Sequence, residues 1–135
     1  MEYAARVVLG GWGEDPDYDR ARVAILLEAL TQIAELGYRR ARERGAPLPS
    51  VMHSARYVFN PTEQGSDDWA DATATTRRGW GACVNFGAAR AGELRALGIA
   101  ARPVVLEIDE ENWHVIVERR DGRTEDPSTA LGMDG

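Results

Sequence analysis

A thiol, an imidazole and a carboxylate, in the chain order Cys83, His114, Asp126, are the side chains here best suited to covalent chemistry. Cys83 is the only cysteine and stands in GWGACVNFG, residues 79–87. A cysteine nucleophile needs a stabilised thiolate, a base to take its proton, and an acid that holds the base in orientation. The patterning starts a helix at Cys83, where the helix dipole and the unpaired N–H groups of the first turn favour a thiolate. Gly79 and Gly81 let the backbone turn tightly and leave room for a substrate carbonyl. The Cys83 N–H at the helix start is a ready donor to an oxyanion.

There are two histidines to serve as base. His114 has Asp126 downstream, whereas His53 precedes the cysteine and has no carboxylate at an obvious strand spacing. Trp80 and Trp69 are candidates to line an acyl groove or to donate an indole N–H, with plain packing as the ordinary alternative. Asn85 is a candidate to point along the groove, with a solvated helix face as its alternative. One cysteine, two widely separated histidines and scattered acids show no metal-ligand spacing, so neither a metal nor a cofactor is expected.

These groups need a scaffold. Val84, Gly87, Ala88, Ala91, Leu94 and Leu97 predict a narrow helix from Cys83, with small residues for close packing and Gly98 as its end. ARPVVLEI (101–108), an acidic turn DEEN (109–112) and NWHVIVERR (112–120) predict a β-hairpin, with His114 on the face opposite Trp113, Val115 and Val117. A further strand over 123–126 follows and stops at Pro127. Its register decides whether Asp126 is useful. A two- or four-residue turn places Asp126 opposite Val117, on the wrong face. A three-residue Arg-Asp-Gly loop with Gly122 in the left-handed conformation pairs 119 with 123 and 116 with 126. Asp126 then shares the face of His114, one diagonal step away.

Upstream, YAARVVL (3–9) reads as a short strand and GGWGEDPDYD (10–19) as a loop. Residues 20–44 carry apolar side chains at three- and four-residue spacing, predicting a long amphipathic helix capped by Asp17 or Asp19 and ended by Gly45. MHSARYVF suggests a short strand, and the polar stretch from Asn60 to Ala82 reads as a loop too long to be an idle connection. The fold class expected is α+β, in one domain over 1–135, with helical and connecting parts in 1–68 and the chemical motifs in 69–133.

The chain carries a formal net charge of -6 and a pI near 4.9, which argues against nucleic acid as a partner. Every one of its 16 basic residues is arginine. No run approaches the ~18 apolar residues of a membrane span, and the N-terminus, with an acid at position 2, is unlike a secretion signal. A single thiol suits a reducing compartment.

The segment GWGACVNFGAARAGELRALGIAARPVV resembles the signature of the transglutaminase-like (papain-like) superfamily. That signature has Gly-x-Cys at a helix start, then a leucine-bearing helix and a Leu-Gly-Ile-x-Ala-Arg turn into a strand. WHVIVERRDGRTEDPS resembles the family's His strand followed by its Asp-Pro strand, and EDPSTALGM is similar to small phage- and prophage-encoded members. The resemblance covers residues 69–133 and implies a Cys-bearing helix packed on an antiparallel sheet that carries His and Asp. It implies Cys83 as nucleophile, His114 as base and Asp126 as orienting acid. A protein or peptide would be the substrate, in the cytoplasm of a bacterium or a phage-infected cell. Many relatives place an acidic pair just after the cysteine, whereas this chain has Val84-Asn85, which bears on substrate preference. With water as acceptor the expected activity is that of a cysteine peptidase or amidase, and with an amine that of a transglutaminase. A phage assembly or host-interaction protein that uses the same groove only for binding is the non-enzymatic alternative.

Overall fold

A computed structural model describes residues 1–59, 68–108 and 113–133. The described chain is α+β and is organised around one long helix, α1, Pro16–Glu43. It begins a turn earlier than its apolar periodicity suggests. Asp15, rather than Asp17 or Asp19, is the cap, its carboxylate accepting from the Tyr18 N–H at 3.2 Å. Pro16 occupies the first helical position, where a missing N–H costs nothing. Asp19 is instead buried inside the helix, accepting from the Gly13 N–H and from Arg22. The residues expected as an N-terminal strand, 3–9, form none. Tyr3, Val7 and Val8 are exposed, and β-prone side chains need a partner strand to hold that conformation.

The region read as connector and loop contains more order than expected. MHSARYVF is not one strand. Ser50 accepts from the Met52 N–H and starts a single helical turn, α2, Val51–Ser54, followed by β1, Arg56–Tyr57. Within the polar stretch, α3 spans Ala72–Arg78, capped by the Asp71 carboxylate and closed by Gly79 at φ 78°. Only Ala72 and Thr75 of this helix are buried, so no apolar period announced it. Trp80–Gly81 form β2, which pairs in parallel with β1, Arg56 opposite Trp80 and Tyr57 opposite Gly81.

Helix α4, Cys83–Ala96, follows at once. It ends as expected: the Gly98 N–H donates to Arg95 O and the Ile99 N–H to Leu94 O, with Gly98 at φ 84°. The three-stranded sheet comes next: β3, Ala101–Glu107, β4, Trp113–Arg119, and β5, Thr124–Glu125, in the order β3-β4-β5 with both pairings antiparallel. The acidic turn 109–112 and residues 60–67 lie outside the described residues. The last strand is shorter than expected, because Asp126 leaves the ladder to cap a final turn, α5, Pro127–Ala130.

Helices α1 and α4 lie on the same face of this sheet. Val23 and Leu27 of α1 cluster with Val115, and Ala91 and Leu94 of α4 with Val117 and Ala101. Small residues permit this. A Cβ on Gly87 would lie 2.4 Å from Val115 Cγ1, and one on Gly92 would lie 2.5 Å from Ala34 Cβ and 2.7 Å from the Glu35 nitrogen. Among the described residues, no helix is long and apolar enough to cross a membrane.

Candidate functional site

Cys83 is the first residue of α4 and is half-buried. Its cap, Ala82, has no side-chain acceptor to offer, and the helix start is secured from within. Asn85 Oδ1 accepts from the Ala82 N–H at 2.9 Å. The amide nitrogen of Asn85 donates to Asp68 O at 2.8 Å and to Ala70 O at 3.3 Å. Asn85 is 1 % exposed, so neither expectation for it holds. It is not a groove residue, and it is not on a solvated helix face. It is a buried clasp that ties the Cys83 turn to segment 68–70. The signal was available in the sequence: an amide at the third helical position can reach back to the cap N–H, as in a capping box.

The tryptophans divide. Trp69 packs against the Val23–Leu27–Val115 cluster, as do Cys83, Val84 and Trp113. Trp113 also meets Trp12 edge-on, centroids 5.8 Å apart. Trp80 carries the Arg78 guanidinium over its ring at 3.7 Å, and Arg78 also donates to Trp80 O and to Asp68 Oδ2. This cation–π and ion-pair knot was not expected from the sequence. It braces the glycine turn that precedes the cysteine.

His114 is buried at 8 % exposure, and its Nε2 lies 2.8 Å from Asp126 Oδ2. The loop between their strands is the odd-length one. The Arg119 N–H donates to Arg123 O, the Gly122 N–H donates to Arg119 O, and Gly122 has φ 86°. Val117 therefore faces Glu125 and Glu118 faces Thr124, which sets Ile116 level with Asp126. The other carboxylate oxygen of Asp126 accepts from the Thr129 N–H at 3.2 Å. Burial opposes ionisation of Asp126. The bonds from His114 and Thr129 outweigh it and hold the carboxyl below its usual pKa range.

Cys83 and His114 come to the same end of the sheet. Gly87 of α4 sits over Val115, and Ala91 and Leu94 sit by Val117. One helical turn back from Gly87 is about 6 Å, close to the ~7 Å of two strand residues, so Cys83 is level with the start of β4. They approach it differently. Alternation sends Val115 and Val117 toward α4 and His114 to the other face. There β5 pairs only with Val117 and Glu118, so the edge of β4 beside His114 has no strand from β5.

One further residue frames the thiol. Tyr57 stands opposite Gly81, two residues before Cys83, its ring 6.5 Å from that of Phe86. Burial raises the Tyr57 pKa, and the neighbouring Cys83 raises it further. Nothing in the local sequence marks Tyr57, because a parallel pair between 56–57 and 80–81 brings it there. The rival base, His53, is exposed on α2. No family model, curated protein or solved structure matches this chain.

Proposed function

We propose that the protein is a cysteine-dependent acyl-transfer enzyme that hydrolyses an amide bond of a protein or peptide, on a transglutaminase-like arrangement of helix and sheet. The observation that carries this reading is the 2.8 Å His114–Asp126 pair at the end of the sheet where the Cys83 helix begins. Asp126 accepts the proton on Nε2, which leaves the lone pair on Nδ1. On this reading the ring reaches the thiol past the end of the β4–β5 pairing, and Nδ1 takes the proton of Cys83.

The thiolate sulfur then attacks the amide carbon. The carbonyl pair moves onto oxygen, where the Cys83 N–H at the helix start donates to it. Collapse of this intermediate breaks the C–N bond as the imidazolium protonates the departing amine, leaving a thioester on Cys83. Water, losing a proton to Nδ1, attacks the thioester, and the carboxylic acid leaves as the thiol is restored. Hydrolysis is the simpler outcome, because water needs no binding site of its own whereas an amine donor must be held beside the thioester.

The test is incubation with a glutamine-containing peptide and a labelled amine. Ammonia or cleavage products that disappear in Cys83→Ala support hydrolysis. Label incorporation that disappears in the same variant moves the assignment to transglutaminase. Neither product with the native chain overturns both. Asp126 also caps α5, a structural duty that a purely binding protein would equally require. That reading predicts an ordinary, slow thiol.

A further inference from the structure

Helix α1 has two apolar faces, and among the described residues only one of them is covered. Val23, Leu27, Leu30, Ala34 and Tyr38 make the buried face. On the other side Tyr18, Ile25, Ile33 and Leu36 are 56 %, 69 %, 51 % and 65 % exposed. At 100° per residue, Tyr18, Ile25, Ala29 and Leu36 fall within a stripe about 40° wide that runs roughly 27 Å along the helix, with Ile33 at its border. Single exposed apolar residues are ordinary, but a straight row of them on one long helix is an association surface.

The charge along the same helix identifies the occupant. Around its start Glu14, Asp15 and Asp17 are exposed acids, Asp19 being buried against Arg22. Its last turns are basic, with Arg39, Arg40, Arg42 and Arg44. Such a helix complements itself only when a second copy runs antiparallel, so that each acidic end lies beside a basic end.

We propose that the outer face of α1 is the interface of a two-fold symmetric homodimer. A two-fold axis level with Leu27 sets Tyr18 against Leu36 of the partner subunit and Ile25 against Ala29 of the partner subunit. It also carries Arg40 to Glu14 of the partner subunit. Each contact occurs twice, as an isologous interface requires. Ala29 at the centre lets the helix axes approach closely. The proposal is independent of the reaction, because the residues of α1 that cluster with Val115 are on its other face.

Sedimentation equilibrium across roughly 1–100 µM tests it. The native chain is expected at twice its 14.8 kDa mass. Ile25→Arg with Leu36→Arg should raise the dissociation constant on the order of 100-fold or more, since two central apolar anchors become charges. Helical content should stay unchanged, because both side chains are exposed in the monomer, and the melting temperature should fall only by what dimerisation adds, a difference that grows with protein concentration. Arg40→Glu should weaken association at low salt, and combining it with Glu14→Arg should restore it. A native chain that stays monomeric at the highest concentration overturns the proposal. So does a dimer that survives Ile25→Arg with Leu36→Arg, because its interface then lies elsewhere.

Discussion

Asn85 and Asp126 each do two things at once, and their behaviour separates positioning from chemistry. Asn85 is buried with all its amide capacity committed to Ala82, Asp68 and Ala70. Asn85→Ala removes the acceptor of the part-buried Ala82 N–H and the amide donor to Asp68 O and Ala70 O, of which Ala70 O keeps the Thr75 hydroxyl. Its expected cost is about 1–3 kcal/mol in urea unfolding, together with a fall in Cys83 reactivity as the turn loosens. Asn85→Asp should be worse, because a carboxylate cannot donate to the carbonyls of Asp68 and Ala70. Asp126→Asn should preserve the α5 cap, since an amide oxygen still accepts from Thr129. Its turnover should nevertheless fall by roughly 10²–10⁴-fold, in the range that oriented general-base catalysis contributes. A turnover within a factor of two of the native chain would make the His114–Asp126 pair structural only.

At the scale of elements, two glycines and one loop length set the geometry. Gly87→Ala presses on a side chain, that of Val115, which is buried and β-branched and finds room only by shifting. Gly92→Ala presses on backbone atoms of Thr31 and Glu35 that have none. Both should destabilise, Gly92→Ala more, by about 2–3 kcal/mol and roughly 8–12 °C in melting temperature. Deleting one residue from the 120–122 loop should leave the α1–α4 packing folded. It would turn Asp126 to the other face of the sheet and abolish activity. Much of this was legible from residues alone. Cys83 at a helix start, the Gly98 stop, the hairpin and the odd loop at Gly122 follow from local chemistry, because turn type and side-chain period act within a few residues. The rest was not legible, for reasons of distance. Helix α3 buries too little to show a period, β1 and β2 are two residues each, and their parallel pairing joins positions more than 20 apart. The expected strand at 3–9 has the right side chains but no ladder among the described residues to join.

Over the whole molecule, arginines join the layers. Arg95 of α4 binds Glu28 of α1 through two bonds at 2.7 and 2.9 Å. Arg90 of α4 holds Glu125 of β5, and Arg20 of α1 holds Glu107 of β3. The Arg95 hydrogen bond keeps Glu28 below the usual glutamate pKa range, against a smaller opposing effect of burial. Asp126 is likewise depressed. A carboxylate depressed in the folded state contributes stability that is fully present above its unfolded pKa, about 3.9 for Asp and 4.3 for Glu. That contribution is lost as pH falls through the lower, folded value. The melting temperature should therefore show no loss from these groups above about pH 5 and a steepening loss below about pH 4. In Glu28→Gln the acid limb should be shallower, which differential scanning calorimetry across pH 3–7 can read. An unchanged limb would assign the acid sensitivity to other carboxylates.

The central claim is that His114 takes the proton of Cys83, and the rate of iodoacetamide alkylation against pH tests it most directly. The native chain should alkylate rapidly at pH 6, where an ordinary thiol is almost wholly protonated. His114→Ala should lose that acid-side reactivity by at least about tenfold, and Asp126→Asn should lose part of it, while both keep their fold by circular dichroism. A native profile that rises only above about pH 8 and is unchanged in His114→Ala would contradict the triad.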